Sequence, residues 1–238
     1  MSQMTQIGNK MQKKILCNLW IKSYFLSKME TITNLKIGVH IAAWLPLVWL
    51  IRDFVNDKLT ANPIQAAMQR TGRFALIFLV LTLACTPMRI LFGHQKIPAL
   101  RRMLGLYSFM YACIHLLIYT GLDFGFAWNP ILQSLYEKRF IFVGLAAFIM
   151  LLLLAITSFR WWMKTLGKNW KRLHWLVYPS AVLVVLHYAL AKKGDIFHLQ
   201  GDILLPLLFA CLLLGLYIIR LPGVRHWLAG LRSHPNAA

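Results

Sequence analysis

The chain has 238 residues, 59% of them hydrophobic, and a formal net charge of +19 against only 7 Asp and Glu. A chain this apolar, with so few carboxylates, is not a single water-soluble domain, and its long apolar runs read as membrane-spanning helices. The basic excess would suit nucleic acid if it gathered on one folded face, but it lies between the apolar runs, so position decides its meaning.

The first 34 residues form a basic arm. KKILCNLWIKSYFLSKM sets Ile15, Leu16, Leu19 and Trp20 at helical spacing among lysines, as an amphipathic helix lying on a membrane would. The apolar stretch is short and no small-residue cleavage site follows, which argues against a signal peptide. A true start at Met29 is the alternative reading. Six spans follow, over 35–51, 73–92, 104–122, 140–159, 173–191 and 203–220. Pro46, Pro87, Pro179 and Pro206 fall inside them or near their ends; membrane helices accept proline where a neighbour re-satisfies the freed carbonyl. The connections are short, and neither an internal repeat nor a low-complexity tract stands out. The expected fold is all-α, a polytopic bundle of six transmembrane helices over 35–220, with a tail at 221–238 and no soluble module.

Charge gives the orientation. With the N-terminus inside, most of the 26 Lys and Arg fall in inside segments, among them Arg101, Arg102, Lys164, Lys168, Lys171 and Arg172. Asp53, Asp57, Asp123, Glu137, Asp195 and Asp202 all fall outside. The Lys/Arg asymmetry predicts that both termini are cytoplasmic. Anionic lipid headgroups then account for the basic charge without nucleic acid. Trp161, Trp162, Trp170 and Trp175 cluster at the same inner interface, as an aromatic belt does. Cys17, Cys85, Cys113 and Cys211 are scattered with no CxxC pair, so neither a disulfide framework nor a zinc or iron–sulfur site is expected.

The chemistry therefore rests on histidine. His40, His115, His174 and His187 fall within spans, where an ionisable group is costly and usually faces a partner, a cavity or a cofactor. For any one of them a hydrogen bond to a backbone carbonyl is explanation enough. Three on two helices suggest axial ligation of haem iron, which uses the neutral imidazole. Spans 3 and 5 run parallel, and at about 1.5 Å per residue His115 and His187 reach similar depth in the outer half of the bilayer. They could grip one haem. His174 lies about 20 Å lower, level with Arg102 where a symmetric second pair would need a histidine. It either ligates a second, less regular haem or orients a cofactor at the inner face. On one straight helix, His174 and His187 would point about 140° apart.

The segments TGRFALIFLVLTLACTP, RRMLGLYSFMYACIHLLIY and LGKNWKRLHWLVYPSAVLVVLHY resemble the MsrQ (YedZ) family of haem-binding membrane subunits, which are ferric-reductase-like transmembrane proteins. LKIGVHIAAWLPLVWL, the first span, is similar too. The resemblance covers about 35 to 220; the N-terminal arm is longer than that family needs, which favours Met29 as the start. It matches the family's haem histidines to His115, His174 and His187, and one common in the first span to His40, read here as structural. The resemblance implies haem b, an association with FMN, and a bacterial inner-membrane location. It implies an electron relay from quinone or a cytoplasmic flavin reductase to a periplasmic MsrP-like molybdopterin enzyme that reduces methionine sulfoxide. No glycine-rich dinucleotide fingerprint follows the last span, so the reductant is expected to come from another molecule. For an FMN phosphate the candidates are paired inner-face cations near helix N-termini, Arg101 and Arg102 opening span 3 and Lys171 and Arg172 opening span 5; Arg101 and Arg102 would also suit a haem propionate, and lipid phosphate is the plainer partner for the same charges. Two readings stand beside the relay: a self-contained metal or oxygen reductase at the outer face, which needs an open iron position, and a non-redox membrane protein with satisfied histidines.

Overall fold

In a computed structural model, residues 32–93, 96–192, 194–195, 200–201 and 203–233 are described. The arm before residue 32, and Met29 with it, lies outside them. The chain divides into two compact units, Met1–Leu45 and Pro46–Ala238. Within the first, the described residues are the opening turns of helix α1, Ile32–Val55. The second contains the rest: α2 (Pro63–Phe92), α3 (Arg101–Leu117), α4 (Trp128–Glu137), α5 (Arg139–Ile156), α6 (Arg160–Leu166), α7 (Lys168–Leu173), α8 (Val177–Ala191), α9 (Leu204–Ile218) and α10 (Pro222–Ser233). A two-residue antiparallel pairing of Gly194–Asp195 with Gln200–Gly201 lies between α8 and α9.

The all-α membrane bundle expected from sequence is the observed one. Five helical stretches, Ile32–Val55, Pro63–Phe92, Ile97–Asp123, Arg139–Ile156 and Lys168–Ala191, are long and apolar enough to cross a membrane. Leu204–Ile218, the expected sixth span, is a shorter apolar helix of 15 residues. Leu81, Leu153, Leu186 and Leu212 are exposed on the outside of the bundle. Apolar exposure repeated from helix to helix marks a surface that faces lipid, and the chain is a multi-pass membrane protein.

Two boundaries move for local reasons. Helix α2 starts ten positions before the expected 73, because Asn62 caps it by accepting from Gln65 N–H at 3.0 Å and Pro63 supplies the first turn. Its first turns are polar, so hydropathy passes over them. Between spans 3 and 4 the chain forms α4, whose Trp128, Leu132 and Tyr136 are exposed. The span read as 173–191 is likewise broken: α7 leads through a 3₁₀ turn at His174–Leu176 into α8.

The core joins α2, α5, α8 and α9 through Leu76, Leu79, Leu83, Leu151, Leu154, Ala181, Val185, Phe209 and Leu213. Helix α3 packs along α2, where Ser108 Oγ donates to the Ala75 carbonyl at 2.8 Å, and meets α5 through Phe109 stacked on Phe148. Pro87 has no N–H, so the carbonyl one turn back, Leu83, loses its helical donor. Arg220, just past α9, donates one guanidinium nitrogen to that carbonyl and another to the Tyr178 hydroxyl. The neighbour that a proline in a membrane helix needs is thus Arg220.

Candidate functional site

His115 and His187, which the sequence pairs by depth, come together. Their ring centroids are 6.2 Å apart and their planes nearly perpendicular at 87°. Each ring is held from behind by another helix. His115 Nδ1 lies 2.8 Å from the Met68 carbonyl on α2, and His187 Nδ1 lies 2.7 Å from the Phe140 carbonyl on α5. A carbonyl only accepts, so in both rings Nδ1–H donates and Nε2 keeps its lone pair. That tautomer suits a metal ligand, with its other ring nitrogen anchored in the surrounding protein.

The two arrangements repeat one pattern. Each imidazole sits 47 positions after the residue whose carbonyl holds it. One helical turn beyond each carbonyl residue stands a glycine, Gly72 on α2 and Gly144 on α5. A Cβ at Gly72 would lie 3.0 Å from His115 Nδ1; one at Gly144 would lie 2.6 Å from His187 Nδ1 and 2.7 Å from its Cε1. Two turns before each histidine is a serine with no exposed surface, Ser108 or Ser180. The chain therefore does contain an internal repeat, contrary to the sequence reading. It escapes notice because the two halves share few side chains: the glycines, serines and histidines, with scattered apolar matches such as Ile77 with Ile149 and Leu81 with Leu153. The glycines and the two carbonyls are what sequence reasoning missed. The common spacing was the signal, and half of it lay in the polar start of α2, which hydropathy assigns to a loop.

His174 occupies a different environment. Its Nδ1 approaches the Trp170 carbonyl at 3.2 Å and its ring lies 4.0 Å from the Trp170 ring. Trp170 Nε1–H in turn donates to the Thr157 carbonyl at the end of α5. The angle of about 140° to His187 assumes α geometry throughout, and the 3₁₀ turn that begins at His174 departs from it. Arg101 and Arg102 open α3 and are exposed. His40 lies on α1 in the first unit.

Among the described residues, no three His, Cys, Asp or Glu side chains gather as a metal cluster. Two imidazoles alone are too few for a structural or catalytic zinc, which takes three or four protein ligands. They are enough for a metal whose equatorial positions a macrocycle already fills, as in haem. The centroid separation of 6.2 Å matches two metal–nitrogen bonds of about 2 Å each plus the half-widths of two rings. The fixed tautomers, the glycine clearance and this separation all fit a haem held from both faces. Arg73, next to Gly72, has a buried Nε with no hydrogen-bond partner, a cation that a haem propionate would satisfy.

Comparison with known proteins follows the same line. Residues 71–185 match the family described as ferric reductase like transmembrane component. The chain is 45% identical over 197 residues to the protein-methionine-sulfoxide reductase heme-binding subunit MsrQ of Rhodospirillum rubrum, covering 82% of this chain and 91% of that one. It is 43% identical over 167 residues to the protein of the same name from Xanthomonas euvesicatoria, covering 68% and 77%. The corresponding Xanthomonas campestris protein is 40% identical over 175 residues, covering 71% and 80%.

Proposed function

Since this chain belongs to the MsrQ family of haem-binding membrane subunits, we propose that it is a b-type cytochrome relaying electrons outward to a periplasmic MsrP-like molybdopterin methionine sulfoxide reductase. The observation that carries the reading is the pair His115 and His187, each with Nδ1 anchored to a carbonyl and the rings 6.2 Å apart. Haem, when bound, takes up and passes on one electron at a time. The residues determine how it is used. His115 and His187 would together hold the haem, and a group held by two imidazoles would suit a relay better than a self-contained metal or oxygen reductase, which needs an open position. Carbonyl anchors hold both rings fixed, so little needs to rearrange when charge moves. The apolar helices around the site exclude water, and Arg73, with its buried unpartnered Nε, would be available to a propionate.

At the inner face, Arg101 and Arg102 are proposed to hold an FMN phosphate, and His174 on its Trp170 platform to orient that cofactor. Quinone or a cytoplasmic flavin reductase would supply the electrons. The membrane is then the bacterial inner membrane, with both termini cytoplasmic.

Purified protein should show a low-spin b-type spectrum that His115→Ala or His187→Ala abolishes or strongly perturbs. Dithionite-reduced, desalted protein, mixed anaerobically with purified MsrP and a methionine sulfoxide substrate, should reoxidise only when both are present. Absence of haem absorbance would sink the redox reading. Fast reoxidation by ferric chelates, with no response to MsrP, would support the self-contained reductase.

A further inference from the structure

We propose that Gly72 and Gly144 are positioning residues for the two imidazoles, and that Gly144 is the stricter of the pair. This rests on the haem reading above but assigns roles to residues that bind nothing themselves. Their lack of a side chain lets each ring press against the neighbouring helix and reach the carbonyl one turn away.

Real Cβ atoms essentially never come within 3.0 Å of a non-bonded heavy atom. At Gly144 an added methyl would meet two atoms of the His187 ring, at 2.6 and 2.7 Å. The ring cannot simply swing aside. Its Nδ1 is pinned 2.7 Å from the Phe140 carbonyl, and that carbonyl belongs to the same helix as the methyl. Moving the ring breaks the anchor, frees the tautomer and shifts Nε2. At Gly72 the methyl would lie 3.0 and 3.2 Å from the His115 ring, so a shift of a few tenths of an ångström would relieve it. The other described helical glycines do not meet a histidine ring. A Cβ at Gly215 meets nothing within 4 Å.

The experiment measures haem affinity, visible spectrum and midpoint potential in full-length protein carrying Gly144→Ala, Gly72→Ala or, as control, Gly215→Ala. Outer supports of metal-ligating histidines typically change affinity 10–100-fold. Gly144→Ala is expected to weaken haem binding roughly tenfold or more and to turn the low-spin spectrum partly high-spin. Gly72→Ala should shift the potential with a smaller loss, and Gly215→Ala should leave all three readings unchanged. Gly144→Ala is also made in a His187→Gly background, where no ring remains to be displaced and the reading is accumulation in the membrane relative to His187→Gly alone. There it should add nothing. An unchanged spectrum and affinity in Gly144→Ala overturns the proposal while leaving the haem reading intact; no haem in the parent protein overturns that reading instead. Should Gly144→Ala fail to accumulate, the double variant decides. Its recovery assigns the clash to the His187 ring, and its failure assigns Gly144 to helix packing and overturns the proposal.

Discussion

A buried group counts here by what it leaves its neighbours to bond with. Leu83 shows this outside the histidine pair: Pro87 removes its helical donor and Arg220 replaces it, while the guanidinium also lies over the Tyr178 ring at 5.0 Å. Replacing Arg220 by Ala should leave the Leu83 carbonyl unsatisfied, at a cost of about 1–3 kcal/mol. Pro87→Ala restores an N–H to bond Leu83 and should recover part of that loss. Unfolding of the four proteins in detergent checks this; equal losses from Arg220→Ala with and without Pro87 would show that the carbonyl is not what Arg220 serves. At this scale the histidines were legible because a charged-capable ring in an apolar run is costly and therefore conspicuous. Gly72 and Gly144 were not. A glycine in a membrane helix is compatible with a kink, a tight helix contact or nothing, and only the ring packed against it tells which.

Elements bring the site residues to one place, and their ends matter more than their middles. Met68 lies in the capped, polar start of α2, and Phe140 is the second residue of α5, so both carbonyl anchors sit near helix N-termini that join the same end of the bundle. Hydropathy found the start of α5 to within one residue but missed that of α2, whose cap and first turns are polar. Gly167 separates α6 from α7 with φ +49 and ψ −117, a conformation open essentially to glycine alone, and the resulting turn carries Trp170 and His174. A sequence read as one straight helix from 173 to 191 could not reveal that His174 belongs to this turned segment. Its place there, against Trp170 with Arg102 rather than histidine at the matching level of α3, argues for an inner-face role. His174→Ala should keep the low-spin spectrum given by His115 and His187 and slow reduction by the electron donor. Loss of part of the haem, measured by quantitation per chain, would instead assign His174 as a second ligand.

For the whole molecule, the direction of electron flow depends on topology, and topology depends on α9. Its 15 residues span about 22 Å, short of a hydrocarbon core of about 30 Å. Ile203 and Ile219 lengthen the apolar path, Arg220 ties that end of α9 to Leu83 on α2 and Tyr178 on α8, and a bilayer thins locally around a short span at modest cost. If α9 crosses, six crossings return the C-terminus to the side of the N-terminus, with Arg220 and Arg225 on the basic inner face. The ends of α2 and α5 that anchor His115 and His187 then share the outer side with Asp53, Asp123 and Glu137, where Asp53 is paired with Arg70 at 2.6 Å. Alkaline phosphatase, active only outside the cytoplasm, should be silent when fused after Ala238 and active when fused after Lys192, and green fluorescent protein should give the reverse. Phosphatase activity at both positions would mean that α9 does not cross and that the C-terminus is external. Activity after Ala238 with silence after Lys192 would invert the bundle, place the histidine pair near the cytoplasm and remove the geometric case for a periplasmic partner.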